Sequence, residues 1–199
     1  MVKQRIIEEA SELFGRAGVK SITMDELSRH IGISKRTIYE NFKNKEALLI
    51  ACIEAFHAKH SDFSQNVLLK AENVAEGIVL MMRKDTEEAS QRLFNIIDEI
   101  RKYYPRAYKE CLPRFQYDKY SGFEQMLKRG INEGVFRENL NPEIIVNFFC
   151  RRSEDFAQND SFYKKFSLAE VFENLVITFL RGICTAKGLE IIEKYKEKM

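Results

Sequence analysis

The chain lacks tryptophan and contains only three prolines, nine glycines and four cysteines among its 199 residues. So few helix-breaking residues, together with the absence of an alternating strand pattern, predict a fold made mostly of α-helices. No stretch of even ten residues is free of charged side chains, which argues against a membrane-spanning helix. The N-terminus also lacks the apolar stretch of a signal peptide, so we expect a cytoplasmic protein without a membrane partner.

The cysteines argue against a disulfide framework. Cys52, Cys111, Cys150 and Cys184 lie far apart in the sequence and form no C-x-x-C pair. We interpret them as reduced packing residues. A redox-sensing thiol is the alternative, and it requires an exposed cysteine with a lowered pKa.

The most informative stretch of the chain is residues 23–45. Thr23 and Glu26 have the spacing of a capping box, which predicts a helix that begins at about Met24. Gly32 ends this helix because glycine tolerates a left-handed turn, and Ser34 is a good N-cap for the next helix. The apolar side chains of both helices are spaced four residues apart and face each other, namely Leu27 and Ile31 against Ile38 and Phe42.

The outward face of the second helix is basic and rich in hydroxyl groups. Between Ser28 and Lys45 there are five Lys or Arg residues against one Glu, whereas the whole chain has a net charge of only +2. Such a helix pair is typical of a helix-turn-helix that reads double-stranded DNA. The candidate DNA-binding residues are Thr23, Ser34, Lys35, Arg36, Thr37, Tyr39, Asn41 and Lys45. Because the remainder of the chain carries no net charge, we expect only the N-terminal part to meet nucleic acid.

These residues resemble a known family. The stretches Gly18–Ser28 and Ile31–Leu48 are similar to the DNA-binding domain of the TetR/AcrR family of bacterial transcriptional regulators. The resemblance implies an all-α fold, with a three-helix DNA-binding domain over residues 1–46 and a helical bundle over residues 47–199 for ligand binding and dimerisation. It also implies a homodimeric repressor that a small molecule releases from its operator. By resemblance, the family's DNA-contacting positions are occupied here by Thr23, Lys35, Thr37, Tyr39 and Lys45. Arg36 is a further candidate DNA contact beside them.

The last two long helices are the candidate dimer interface. Pro142 begins one of them, and an apolar stripe that we expect to be unbroken runs from Leu168 to Ile183 in the other. A stripe of this width also fits a plain core. By resemblance, part of each helix faces a second copy of the chain, through Phe148, Arg152, Phe156, Val171, Phe172, Leu175 and Phe179.

The middle of the chain is rich in aromatic residues, which line most small-molecule pockets. We expect most of them to be core and some to contact an effector whose identity the sequence does not reveal. The candidates are Phe94, Tyr103, Tyr104, Tyr108, Phe115, Tyr120, Phe123 and Phe149. Control by a protein partner instead of a small molecule is the alternative.

Catalysis and metal binding are improbable on this sequence. All three histidines, His30, His57 and His60, lie in the first 60 residues, and no glycine-rich phosphate loop occurs. His57 and His60 with Asp62 have a spacing that could hold a metal, but an exposed histidine pair is the simpler interpretation. We therefore expect no enzyme, no metal site and no cofactor.

Overall fold

The computed structural model describes residues 2–83, 96–157, 165–166 and 168–196, and the described residues form an all-α protein. The predicted fold class is confirmed. The first five helices are α1 Val2–Ala17, α2 Met24–Ile31, α3 Lys35–Asn41, α4 Lys45–Lys70 and α5 Val74–Arg83. They are followed by α6 at residues 96–103, α7 Pro105–Asn132 and α8 Pro142–Ala157. The last two are α9, which comprises Leu168–Val171, Phe172–Ile177 and Thr178–Ile183, and α10 Ala186–Lys196.

The sequence predicts that Pro105 interrupts a helix and that Pro142 begins one, and both predictions are confirmed. Pro105 separates α6 from α7 and lies in the first turn of α7, where its missing N–H has no partner to lose. Pro142 does the same for α8, and the Asn141 side chain accepts the backbone N–H of Glu143 at 3.0 Å. The sequence also predicts a helix from about Arg114 to Glu133, and this predicted start is wrong because α7 continues through Pro113.

The expectation of an unbroken stripe in α9 was also wrong. Phe172–Ile177 is π-helical, and the wider turn changes the phase of the side chains that follow it. Ile177, which lies off the predicted stripe, is 1% exposed, whereas Leu175 on the stripe is 38% exposed. The spacing of Ser167 and Glu170 predicts a capping box, and Asp85 or Thr86 is predicted to begin a helix. Ser167, Asp85 and Thr86 lie outside the described residues.

The chain folds into two compact units. Described residues within Met1–Ser61 and Gln91–Phe115 form the first unit, and those within Asp62–Ser90 and Gln116–Met199 form the second. The first core packs α1 to α4 with Ile100 and Ala107, and the second packs α5, α7 and α8 with the last two helices. The predicted domain boundary after residue 46 concerns function and stays a prediction.

All four cysteines are buried thiols that take part in no disulfide, which fits their interpretation as packing residues. Burial raises the pKa of the Cys52, Cys111 and Cys184 thiols to about 11. These thiols are therefore protonated at neutral pH, which disfavours their reaction with oxidants. Among the described residues, no helix combines the length and the apolarity that crossing a bilayer requires.

Candidate DNA interface

The start of α2 is fixed by a reciprocal pair of hydrogen bonds. The Thr23 hydroxyl accepts the Glu26 backbone N–H at 3.2 Å, and the Glu26 carboxylate accepts the Thr23 backbone N–H at 2.7 Å. These bonds from Thr23 lower the pKa of the Glu26 carboxyl. The predicted capping box is confirmed, and it leaves Thr23 exposed at the N-terminus of α2.

The turn between α2 and α3 depends on glycine. Gly32 has φ 72° and ψ 34°, the left-handed conformation that a side chain with a Cβ disfavours. The backbone N–H groups of Gly32 and Ile33 both donate to the Ser28 carbonyl, at 3.0 and 3.1 Å. The chain therefore reverses within a few residues and directs α3 across α2, with Leu27, Ile31 and Ile38 buried between the two helices.

Helix α3 begins at the predicted cap. The Ser34 hydroxyl accepts the Thr37 backbone N–H at 3.0 Å and lies 2.8 Å from the Thr37 hydroxyl. Lys35, Arg36 and Tyr39 are exposed on this helix, and the Tyr39 side chain is 48% exposed. Asn41 is half-buried and donates from its amide to the Thr37 carbonyl at 2.8 Å. The sequence-predicted residues of α3 thus form one exposed row of cations, hydroxyl groups and a phenol, with Asn41 at its end.

The two cations of α3 have acidic neighbours in the free protein. Lys35 pairs with Asp25 of α2, and Arg36 pairs with Glu40 at 2.8 Å. All four side chains are more than half exposed, and exposed ion pairs contribute at most about 1 kcal/mol. Both cations can therefore exchange these partners for a phosphate at little cost.

Lys45 lies differently from the other predicted contacts. It is half-buried, and its ammonium group donates to the Val19 carbonyl. The same group lies 5.8 Å from the Phe14 ring centre and 5.5 Å from that of Tyr104. The sequence offers Asn44 as a cap for α4, and its side chain accepts the Ala47 backbone N–H at 2.8 Å, which confirms this prediction. In this structure Lys45 joins the start of α4 to the loop before α2, and its contact with DNA stays a prediction.

Sequence reasoning missed two basic residues of α1 beside the helix-turn-helix. The Lys3 ammonium lies 5.6 Å from the ring centre of Phe42, which ends α3. The Arg5 guanidinium donates to the Ile31 carbonyl at 2.9 Å and so satisfies a carbonyl at the end of α2. Only folding reveals these contacts, since Lys3 and Arg5 lie about thirty residues away in the sequence.

The comparisons with known proteins agree with this geometry. Residues 6–52, which include most of α1 together with α2, the turn and α3, match the profile of the bacterial regulatory proteins of the tetR family. Over this stretch the chain is similar to the tetR family.

Two relatives show the extent of the similarity to this family. The uncharacterized HTH-type transcriptional regulator YvaF of Bacillus subtilis is 25% identical over 182 residues, which cover 90% of this chain and 94% of that protein. The class D tetracycline repressor protein of Escherichia coli is 36% identical over 62 residues, which cover 31% of this chain and 28% of that protein. Together with the helix-turn-helix, these similarities identify a DNA-binding transcriptional regulator.

Solved structures support the fold over most of the chain. A transcriptional regulator from Cytophaga hutchinsonii has a TM-score of 0.74 at 18% identity, over 92% of this chain and 98% of that one. The reduced form of E. coli NemR has a TM-score of 0.70 at 14% identity, over 93% of this chain and 98% of that one. At these identities the likeness establishes the all-α fold and nothing finer.

The predicted effector-binding residues divide between the two units. Tyr103, Tyr104, Tyr108 and Phe115 belong to the first unit, where Tyr104 and Tyr108 pack on the core. Tyr120, Phe123 and Phe149 belong to the second unit, where the Phe123 and Phe149 ring centres lie 4.8 Å apart. Phe94 lies outside the described residues. Their role in ligand binding stays a prediction.

The predicted dimer residues fall into two environments. Phe148 is 58% exposed and Leu175 is 38% exposed, as an interface in a separate chain requires. The Phe179 ring instead lies 4.8 Å from the Phe149 ring, inside the second unit. Val171 is half-buried, and the side chains of Arg152, Phe156 and Phe172 lie outside the described part of the structure.

No metal site emerges within the part of the chain that the structure describes. No three His, Cys, Asp or Glu side chains there are grouped closely enough to hold an ion. The His57 ring contacts the Phe115 ring at 4.1 Å in an edge-on arrangement, while the side chains of His60 and Asp62 are outside the description. The proposed metal alternative therefore gains no support from these residues.

Proposed function

We propose that the protein is a homodimeric repressor that places α3 of each chain in the major groove of an operator and leaves the operator when a small molecule binds. The observation that carries this proposal is the exposed row on α3, held by the capped turn at Gly32. Its ammonium, guanidinium and hydroxyl groups suit phosphate oxygens and base edges. Thr23 adds an exposed hydroxyl at the N-terminus of α2, and the positive end of the helix dipole there favours an anion.

A row this short limits what one chain can recognise. Helix α3 has seven residues and reaches only a few base pairs. Two copies separated by about one helical turn of DNA, roughly 34–36 Å, multiply the specificity. Recognition of an operator thus favours a dimer.

The second unit offers an apolar surface for that dimer. Ile144 is 65% exposed and Phe148 is 58% exposed, and they lie four residues apart on one side of α8. Exposed large apolar side chains in a group mark protein interfaces. We infer that Ile144, Phe148 and Leu175 face the second copy.

The effector would bind at the aromatic cluster of the second unit. Phe123, Phe149 and Phe179 have ring centres 4.8 to 6.4 Å apart and are half-buried, and Tyr120 lies on the same helix as Phe123. Stacked rings of this kind bind apolar and aromatic molecules. Release of the operator requires that the effector bind one arrangement of the protein more tightly than the other.

Selection of duplexes from a random pool tests the DNA-binding proposal. We expect the wild-type protein to enrich an inverted repeat, and Tyr39→Ala to weaken its binding about tenfold or more, since a hydrogen bond to a charged group is lost. Tyr117→Ala is the matched control, because Tyr117 is 73% exposed but lies in the second unit. Failure of the wild-type protein to retain any duplex, even in dilute buffer, contradicts the proposal.

Sedimentation equilibrium tests the dimer. We expect twice the chain mass of 23.4 kDa for the wild-type protein and a shift toward the monomer for Phe148→Asp. Leu69→Asp is the control, because Leu69 is 80% exposed and lies outside α8 and α9. A monomeric wild-type protein at micromolar concentration contradicts the proposed interface. Repeating the duplex selection with a metabolite library identifies molecules that release the DNA.

A further inference from the structure

A group of exposed side chains lies beside the helix-turn-helix, and half of it comes from α6. Lys20 belongs to the loop between α1 and α2, whereas Lys102 and Tyr103 are the last residues of α6. The Lys20 ammonium donates to the Tyr103 hydroxyl at 3.3 Å and lies 4.4 Å from the centre of the Tyr103 ring. The Lys102 ammonium lies 5.4 Å from the same ring centre. Two cations therefore share one exposed phenol.

The position of this cluster is fixed by contacts within the first unit. The Glu99 carboxylate accepts the Lys20 backbone N–H at 2.9 Å. It also occupies the space beside Gly18, where a Cβ would lie 2.8 Å from the carboxylate oxygen. Gly18 has φ 81°, which turns the chain toward Glu99. The loop before α2 is thus attached to α6, and Lys20 is held there.

The cluster is close to a predicted DNA contact. Thr23 caps α2 and follows Lys20 by three residues, so the two backbones lie no more than about 11 Å apart. Adjacent phosphates of one DNA strand are separated by a distance of the same order, and a flexible lysine side chain spans the difference. A duplex phosphate at the start of α2 would therefore have a neighbour within reach of Lys20.

The chemistry of the cluster suits an anion. The hydrogen bond that the Lys20 ammonium donates to Tyr103 lowers the pKa of the Tyr103 hydroxyl. Because this hydroxyl accepts from Lys20, its own proton is available for donation to another oxygen. The nearby carboxylates are engaged, since Glu99 holds the Lys20 backbone and Asp98 pairs with Arg101. Two ammonium groups and one hydroxyl are donors that bind phosphate oxygens.

We propose that Lys20, Lys102 and Tyr103 bind a phosphate of the DNA backbone and extend the interface from the helix-turn-helix onto α6. The inference rests on the proposed DNA binding. It differs from the expectation that only the N-terminal part of the chain meets nucleic acid, because Lys102 and Tyr103 lie outside the family match at residues 6–52. A phosphate contact carries no sequence preference, so the cluster adds affinity to every duplex.

The salt dependence of DNA binding by the full chain tests this proposal. The probe is a fluorescein-labelled duplex of mixed sequence, and its anisotropy is titrated at several salt concentrations. We expect Lys102→Gln and Lys20→Gln each to weaken binding about two- to fivefold. Each substitution should also reduce the slope of log K against log salt concentration by about 0.9 for each chain bound to the duplex. Tyr103→Phe should weaken binding less and leave the slope unchanged, because it removes no charge.

Lys59→Gln is the matched control. Lys59 is an exposed lysine of the same unit, and it follows Lys45 by fourteen residues on α4, which places it about 21 Å along the helix. A Lys102→Gln variant that behaves like this control overturns the inference while the wild-type protein still binds DNA. A Lys102→Gln variant with weaker binding at an unchanged slope overturns it as well, since no phosphate contact was lost. Loss of all binding by the wild-type protein instead removes the proposed function itself.

Discussion

The polar contacts that form the turn and the caps of the helix-turn-helix join residues three to five positions apart, whereas several contacts in the second unit join residues more than fifty positions apart. Thr23 and Ser34 each cap a helix by accepting the backbone N–H of the residue three positions ahead. The Ser28 carbonyl accepts the backbone N–H groups of Gly32 and Ile33. In the second unit, the Val74 backbone N–H donates to Glu133 at 2.8 Å, and Arg129 donates to the Ala71 carbonyl at 2.9 Å.

This difference explains why one region can be understood from its sequence and the other cannot. A capping residue and its helix occupy neighbouring positions, so their relation is visible in the chain. A contact such as that between Arg129 and Ala71 requires the positions of α4 and α7 to be known first. Substitutions at one glycine of each region separate local from long-range constraints. Gly130 in the second unit allows close packing, whereas Gly32 in the helix-turn-helix allows left-handed backbone angles.

The largest effect is expected at Gly130 in the second unit. A Cβ there would overlap the Phe136 ring and lie 2.9 Å from Val74. Gly130→Ala should therefore lower the free energy of unfolding by about 1–3 kcal/mol. Gly122→Ala, on the same helix, meets nothing within 4 Å and should raise that free energy by about 0.4–1 kcal/mol. Urea denaturation measures both, and equal stabilities would show that close packing at Gly130 is not limiting.

A somewhat smaller effect is expected at Gly32, where nothing lies within 4 Å of an added Cβ. Its φ of 72° makes Gly32→Val cost about 1–2 kcal/mol through backbone strain alone. Gly32→Asn is the control, since asparagine tolerates the left-handed conformation better than valine does. Thermal denaturation and duplex binding measure the outcome. Full duplex binding by the valine variant would show that the turn needs no left-handed residue.

The smallest effect is expected at Lys45. Loss of a phosphate contact in Lys45→Ala should weaken binding to all duplexes. It should also reduce the slope of log K against log salt concentration by about 0.9 for each chain bound to the duplex. Lys128→Ala is the control, because Lys128 is exposed and pairs with Glu124 at 2.6 Å in the second unit. An unchanged slope together with a lower melting temperature would instead assign Lys45 to its contact with the Val19 carbonyl.

The elements that the sequence predicted share a local cause. The capping box at Thr23, the turn at Gly32 and the caps at Ser34 and Asn44 were all confirmed, because each depends on side chains within three or four residues. The sequence also predicts a helix from Asn44 to about Leu69 and another from Val74 to Arg83, which agree with α4 and α5. The exposure of Lys35, Arg36 and Tyr39 followed from the helical period once α3 was placed.

The features that the sequence did not predict depend on residues far away in the chain. Nothing near Lys102 or Tyr103 in the sequence indicates that they lie beside Lys20, since the contact runs between α6 and the loop before α2. The ammonium group of Lys45 is directed at Val19 by the packing of Phe14 and Tyr104. The π-helical turn in α9 changes which apolar side chains are buried, and the heptad-like spacing of the sequence does not reveal it.

By itself the sequence determined the all-α class, the similarity to the tetR family and the helix-turn-helix, because helix period, caps and turn glycines act over a few residues. Tertiary structure alone decided that α6 packs with the N-terminal helices, that Glu99 holds the loop before α2, and that Phe179 packs inside the second unit. Those outcomes depend on close packing between segments far apart in the chain, where the position of each side chain is set by all its neighbours together.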